Sequence, residues 1–203
     1  SINIQNSYYK HEWYEMPVNK LIRKEFIINN NILFQQNIRH EDTLWSFITA
    51  LYANTLLILP KTTYFYRIHN QSFITSRNHK LSSESLLVVC IQMKTNINRK
   101  GKKEVKNAMN YYIDFTTNVL ISYFLNLNYP LDFKYNGYKT IRNLLKDFSI
   151  LSFWKSSYPI GIKLIQIHQL LPTKIGFYYI CLYNRISSIK KNMNKWKKRK
   201  YSF

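Results

Sequence analysis

The sequence predicts an α/β segment followed by a mainly α-helical extension, and three observations predict it. Apolar residues recur at helical spacing over 42–54, a β-branched and aromatic run follows Pro60, and from residue 81 onward the apolar period is helical. Only 4 glycines and 5 prolines occur in 203 residues, too few for an all-β chain built on many tight turns. With 46% hydrophobic and 16% aromatic residues there is ample material for a packed core, and the composition is not that of a disordered chain.

Three parts are expected: a mixed α/β part over 1–80, a helical extension over 81–172, and an amphipathic basic helix and tail over 173–203. In the first part, "NKLIRKEFIINN" (19–30) suits a helix, with Leu21, Ile22, Phe26 and Ile28 apolar and Arg23, Lys24 and Glu25 between them. Over 42–54, Leu44, Phe47, Ile48 and Leu51 are spaced 3, 1 and 3, one face of a helix. Asp42 stands where an N-cap belongs, its carboxylate able to accept from first-turn N–H groups and to meet the positive helix end. After Pro60, "KTTYFYRIH" reads as a strand. Period-two alternation then puts Tyr64, Tyr66 and Ile68 on one face and Phe65, Arg67 and His69 on the other.

The extension begins with "LSSESLLVVCIQMKTNI", whose serines and Glu84 offer capping chemistry. A basic turn, "NRKGKKEVK", separates it from a helix carrying Val105, Met109, Tyr112, Thr116, Val119 and Tyr123 at near-helical period. "NYPLD" breaks the chain, and another helix is expected to start near Tyr138. In the last part Ile175, Tyr179, Leu182, Ile186, Ile189, Met193 and Trp196 are spaced 4, 3, 4, 3, 4, 3, a single apolar stripe with Lys174, Arg185, Lys190 and Lys191 off it.

The formal charge of +20 is uneven. Residues 1–80 hold nine basic and five acidic side chains, a net of +4, while 81–203 hold twenty-one and five, a net of +16. Such a field attracts polyanions, whether acidic lipid, nucleotide phosphate or nucleic acid. Nucleic acid ranks low, because no helix-turn-helix, RRM or zinc signature accompanies the charge. Cys90 and Cys181 each sit in an apolar run and are expected as buried free thiols in a reducing compartment. No basic-then-apolar leader opens the chain, so a cytoplasmic location is expected, with peripheral attachment to the inner face of the cell membrane left open.

In this basic chain only Glu41 and Asp42 place two acids side by side. They belong to an ordered set: Asn19-Lys20-Leu21, Arg23-Lys24-Glu25-Phe26, Glu41-Asp42-Thr43, and Tyr64-x-Tyr66-Arg67-x-His69-x-x-Ser72. In order and spacing this set resembles the back half of the catalytic domain in bacterial family 2 glycosyltransferases. The resemblance covers about residues 13–80. It implies that 1–80 is the acceptor-side half of a GT-A-like domain, inverting a sugar's anomeric centre during transfer from a nucleotide-sugar donor to a saccharide or lipid-linked saccharide hydroxyl. On it, Asp42 maps onto the catalytic base and Glu41 onto a neighbour that orients acceptor hydroxyls. Arg67 and His69 map onto the strand end that closes over the donor diphosphate, His69 also onto a metal ligand in some relatives. A sugar hydroxyl is a poor nucleophile, so a positioned carboxylate that takes its proton is what the chemistry requires.

The family's Asp-x-Asp motif is missing: no two aspartates of this chain are two residues apart, and Asp114, Asp132 and Asp147 stand alone. A divalent Mn or Mg ion is therefore expected in a complete enzyme and not on this chain alone. The tail adds a separate expectation. A stripe ending at Trp196, then Lys197, Lys198, Arg199 and Lys200, suits a helix lying on an anionic membrane surface. An ordinary amphipathic helix packed on the domain is the plainer reading of the same stripe. A non-catalytic membrane- or polyanion-binding module is accordingly the rival to the transferase.

Overall fold

The computed structural model describes residues 4–10, 12, 15–65, 67, 79–101, 105–125, 129–147 and 160–200, with the backbone alone described at 5, 6, 79, 106, 162 and 189–200. Eight α-helices occur among the described residues: α1 (Ile4–Tyr9), α2 (Lys24–Asn29), α3 (Glu41–Tyr52), α4 (His79–Lys100), α5 (Lys106–Val119), α6 (Leu131–Leu145), α7 (Ile160–Gln166) and α8 (Thr173–Lys200). They divide into two compact units, Ser1–Val119 and Leu120–Phe203.

No strand exists among the described residues, so the expected α/β class is overturned in favour of an all-helical one. The correction falls on the segment after α3. Residues 53–65 and Arg67 carry no regular structure, and Leu57, Ile58, Leu59, Tyr64 and Phe65 are exposed. Strand propensity is largely the fit of side chains to a half-buried sheet surface, and a lone strand has neither ladder nor cross-strand neighbours. Sequence preference alone therefore leaves this segment without a sheet.

In the first unit α1, α3, α4 and α5 pack around one core. Leu44, Phe47, Ile48 and Leu51 are all buried, the face that their spacing predicts. From α4 come Leu86, Val89, Cys90, Met93 and Ile97, again at helical spacing, and from α5 Ala108, Tyr111, Tyr112 and Val119. Each fully buried aliphatic or aromatic side chain contributes about 1.5–3 kcal/mol relative to exposure. Tyr111 lies between Tyr8 and Phe47, with ring centroids at 5.3 and 5.8 Å. Burial raises the Cys90 thiol to about 12, so it is an inert core group. Gly101, at φ 91°, follows the last residue of α4 in the left-handed region that favours glycine.

The second unit opens with a π-turn, Leu120–Phe124, and α6 starts at Leu131 rather than near Tyr138. Pro130 at the N-cap and Asp132 in the first turn are its start signals. Gly137 admits the Phe124 ring, which any Cβ there would strike. Arg142 of α6 then gathers the turn between α7 and α8. Its Nη1 donates to the Tyr138 hydroxyl (2.9 Å) and the His168 carbonyl (2.7 Å), its Nη2 to the carbonyls of Gln169 (3.2 Å) and Leu171 (2.6 Å). His168 is fully buried, and burial followed by the Arg142 charge lowers its ring to about 3, so it stays neutral beside the Tyr138 hydroxyl at 3.2 Å.

The face of α8 that packs is not the stripe the spacing singled out. Gly176, Phe177 and Ile180 are buried against α6 and the turn, Phe177 lying 5.1 Å from Tyr135 and 5.4 Å from Tyr138. A Cβ at Gly176 would meet the His168 carbonyl, the Tyr138 hydroxyl and the Arg142 guanidinium, so glycine is what lets α8 approach this closely. Among the described residues no helix is long and apolar enough to cross a membrane.

Candidate functional site

Glu41 and Asp42 form the first turn of α3, and both are half-buried. The N-cap position belongs to His40 and not to Asp42, which corrects the capping expectation. His40 adopts the left-handed region (φ 63°, ψ 30°) and makes no side-chain cap bond. Histidine visits this region more readily than most residues. Asp42 Oδ1 accepts from the Thr43 backbone N–H at 2.8 Å, while Oδ2 accepts nothing and Glu41 makes no hydrogen bond among the described residues. A negative charge in a first turn meets the positive end of its helix, so the location is favourable without a cap.

Beneath the pair lies a residue that motif reading missed. Glu15 is half-buried, and its two carboxylate oxygens accept from different helices: Oε2 from Thr43 Oγ1 of α3 at 3.1 Å, Oε1 from the Tyr111 hydroxyl of α5 at 2.7 Å. The Ser46 hydroxyl donates to the Glu15 carbonyl. Burial, then the Glu15 charge, pushes the Tyr111 hydroxyl far up, so it remains a donor. Glu15 thus fixes the start of α3, and no signal around "HEWYEMPVNK" announced it except its nearness to Asn19-Lys20.

Lys20 belongs to the same neighbourhood. It follows a 3₁₀ turn, Pro17–Asn19, and its Nζ donates to the Met16 carbonyl and to Asn19 Oδ1 at 3.0 Å. Burial lowers it to about 8, against the pull of the Glu15 charge. His40 is lowered as well, chiefly by burial, with Asp42, Glu41 and Glu15 pulling it up and Arg39 pushing it down. The Arg39 backbone N–H donates to Ser85 Oγ of α4 at 3.1 Å, which anchors the approach to α3. The Glu15 charge thus acts on both Lys20 and His40. His40 is half-buried.

Arg67 is exposed on the irregular segment, and His69 lies outside the described residues. The structure therefore brings neither to the acid pair. Trp196, Lys197, Lys198, Arg199 and Lys200 are helical in backbone at the end of α8, their side chains outside the described set. No group of three or more His, Cys, Asp or Glu side chains placed to hold a metal ion occurs among the described residues. What the site offers chemically is a half-buried carboxylate with an open oxygen at a fixed helix start, beside a histidine and a lysine whose neutral forms burial favours.

In comparison with known proteins, the chain matches no family model, no curated protein and no solved structure.

Proposed function

We propose that the first unit is the acceptor-side part of a glycosyl-transfer enzyme, with Asp42 as the base that takes the proton of a saccharide hydroxyl. The observation that carries this reading is the first turn of α3, where Glu15 holds Thr43 and Asp42 keeps one carboxylate oxygen without a hydrogen bond among the described residues. As the hydroxyl attacks the anomeric carbon, its proton passes to Asp42 Oδ2 and the nucleoside diphosphate departs from the opposite face. Glu41 is placed to accept from a neighbouring acceptor hydroxyl. The reading rests on motif order and this local geometry, not on an α/β architecture.

Donor binding belongs to a separate nucleotide-binding part carrying Asp-x-Asp, with which any divalent ion would also enter. Exposed Leu57, Ile58, Leu59 and Phe65 on the segment after α3 are apolar surface that a covering partner could take up. The test combines the purified chain with a nucleotide-sugar-binding polypeptide that carries Asp-x-Asp and measures transfer of radiolabelled sugar to saccharide acceptors. Transfer by the mixture, reduced about a hundredfold or more by Asp42→Asn, is the expected result. Transfer unchanged by Asp42→Asn, or donor hydrolysis by the chain alone, would overturn the assignment.

A further inference from the structure

Ile175, Tyr178, Leu182 and Ile186 of α8 are 57%, 63%, 59% and 47% exposed. On a helix turning about 100° per residue they form one row, on the side away from Gly176, Phe177 and Ile180. The helix therefore has two apolar faces, of which only one is covered within its unit. The exposed row is widened by α7, because the Tyr179 and Tyr183 hydroxyls donate to the carbonyls of Leu164 (2.8 Å) and Gly161 (2.9 Å). This brings exposed Ile160 and Leu164 to the same side. Scattered exposed apolar residues need no explanation, but a continuous row of this size does.

Charge selects the occupant. Helix α8 contains no Asp or Glu, and seven of its lysines and arginines fall between Lys190 and Lys200. Lys174 and Arg185 are exposed along one border of the row. The exposed apolar residues of 57–65, by contrast, are accompanied by a single charge, Lys61. A row of Ile, Leu and Tyr bordered and extended by cations, with no acid, is the composition of a helix lying flat in the headgroup region of a bilayer. We infer that the outward face of α8 docks on an anionic lipid membrane, with Ile175, Tyr178, Leu182 and Ile186 entering the acyl boundary and the basic end meeting phosphate headgroups. The helix lies on the bilayer and does not cross it. This function is separate from the acid pair and stands whatever the first unit catalyses.

Co-sedimentation of the full chain with vesicles tests it, using equimolar phosphatidylglycerol and phosphatidylcholine against phosphatidylcholine alone. The mixed vesicles should bind at least about tenfold more tightly, and the doubly substituted Leu182→Asp, Ile186→Asp chain should lose most of that binding. Both positions are exposed, so its circular dichroism and melting should match the parent. A second variant, Lys197→Glu with Lys198→Glu, should weaken binding to mixed vesicles. Equal binding to both vesicle types, or a Leu182→Asp, Ile186→Asp chain that binds like the parent, would sink the proposal. So would a parent that is dimeric through this row and ignores lipid, or one that binds RNA and no vesicle.

Discussion

Glu15 in the first unit and Arg142 in the second occupy comparable roles. Each is a partly buried charged side chain that ties separate segments together, one by accepting and the other by donating. Arg142 commits its guanidinium to four oxygens, three of them carbonyls around the entry to α8. Glu15 takes one hydroxyl on each carboxylate oxygen, and the neighbouring acids of α3 keep uncommitted acceptors. Both charges are absorbed by architecture, Arg142 within one turn of its unit and Glu15 between α3 and α5. The second unit has its unsatisfied chemistry outside, along α8, whereas the first has it at a helix start.

Arg142→Ala should be the most damaging way to break that comparison. It leaves the carbonyls of His168, Gln169 and Leu171 without their guanidinium in a region packed around a buried histidine, at a cost of about 4 kcal/mol. Urea unfolding should show the loss mainly in the second unit. A change below about 1 kcal/mol would mean that water replaces the guanidinium and that the contact is peripheral.

Glu15→Ala should cost less, about 2 kcal/mol, because the two hydroxyls it releases retain other means of solvation. Glu15→Gln should recover much of this, since an amide can still accept from Tyr111 and donate to Thr43. Denaturant midpoints of the two variants would separate the cases. Equal losses in both would show that the negative charge, and not the hydrogen-bond geometry, is what holds α3 in place.

These contrasts also show what the sequence could carry. The buried face of helix α3 was legible, since Leu44, Phe47, Ile48 and Leu51 all face the core, whereas its cap was not. Helix α8 was legible as a helix but not in its orientation. Its 4, 3, 4, 3 row is the stronger periodic signal, yet the face that packs is the one with Gly176, where close approach adds contact that periodicity does not measure. The strand after Pro60 failed because strand propensity needs cross-strand partners, and none is present among the described residues. The acid pair was visible as a motif. Glu15 was not, because its role depends on helices that meet only in the folded chain.

Asp42→Asn should have the smallest effect on stability and for that reason gives the sharpest reading of the pair. Loss of a true N-cap costs about 1 kcal/mol. Asp42 is the second residue of the helix and not its cap, and an asparagine Oδ1 can keep the bond from the Thr43 N–H, so only the charge at the helix end is lost, roughly 0.3 kcal/mol. His40 provides an independent reporter. Burial holds its ring below the usual value while the Asp42 charge pulls it back up, so removing that charge should move its titration further down. The unfolded chain keeps the ordinary value. Between the two, falling pH protonates the unfolded chain first and favours it, and in Asp42→Asn this acid-side loss should extend to lower pH. Ring C–H shifts followed by NMR would check it, with the His168 signal unmoved as the internal control. A His40 titration that does not respond to Asp42→Asn would place the two groups apart in solution and remove the histidine from the site.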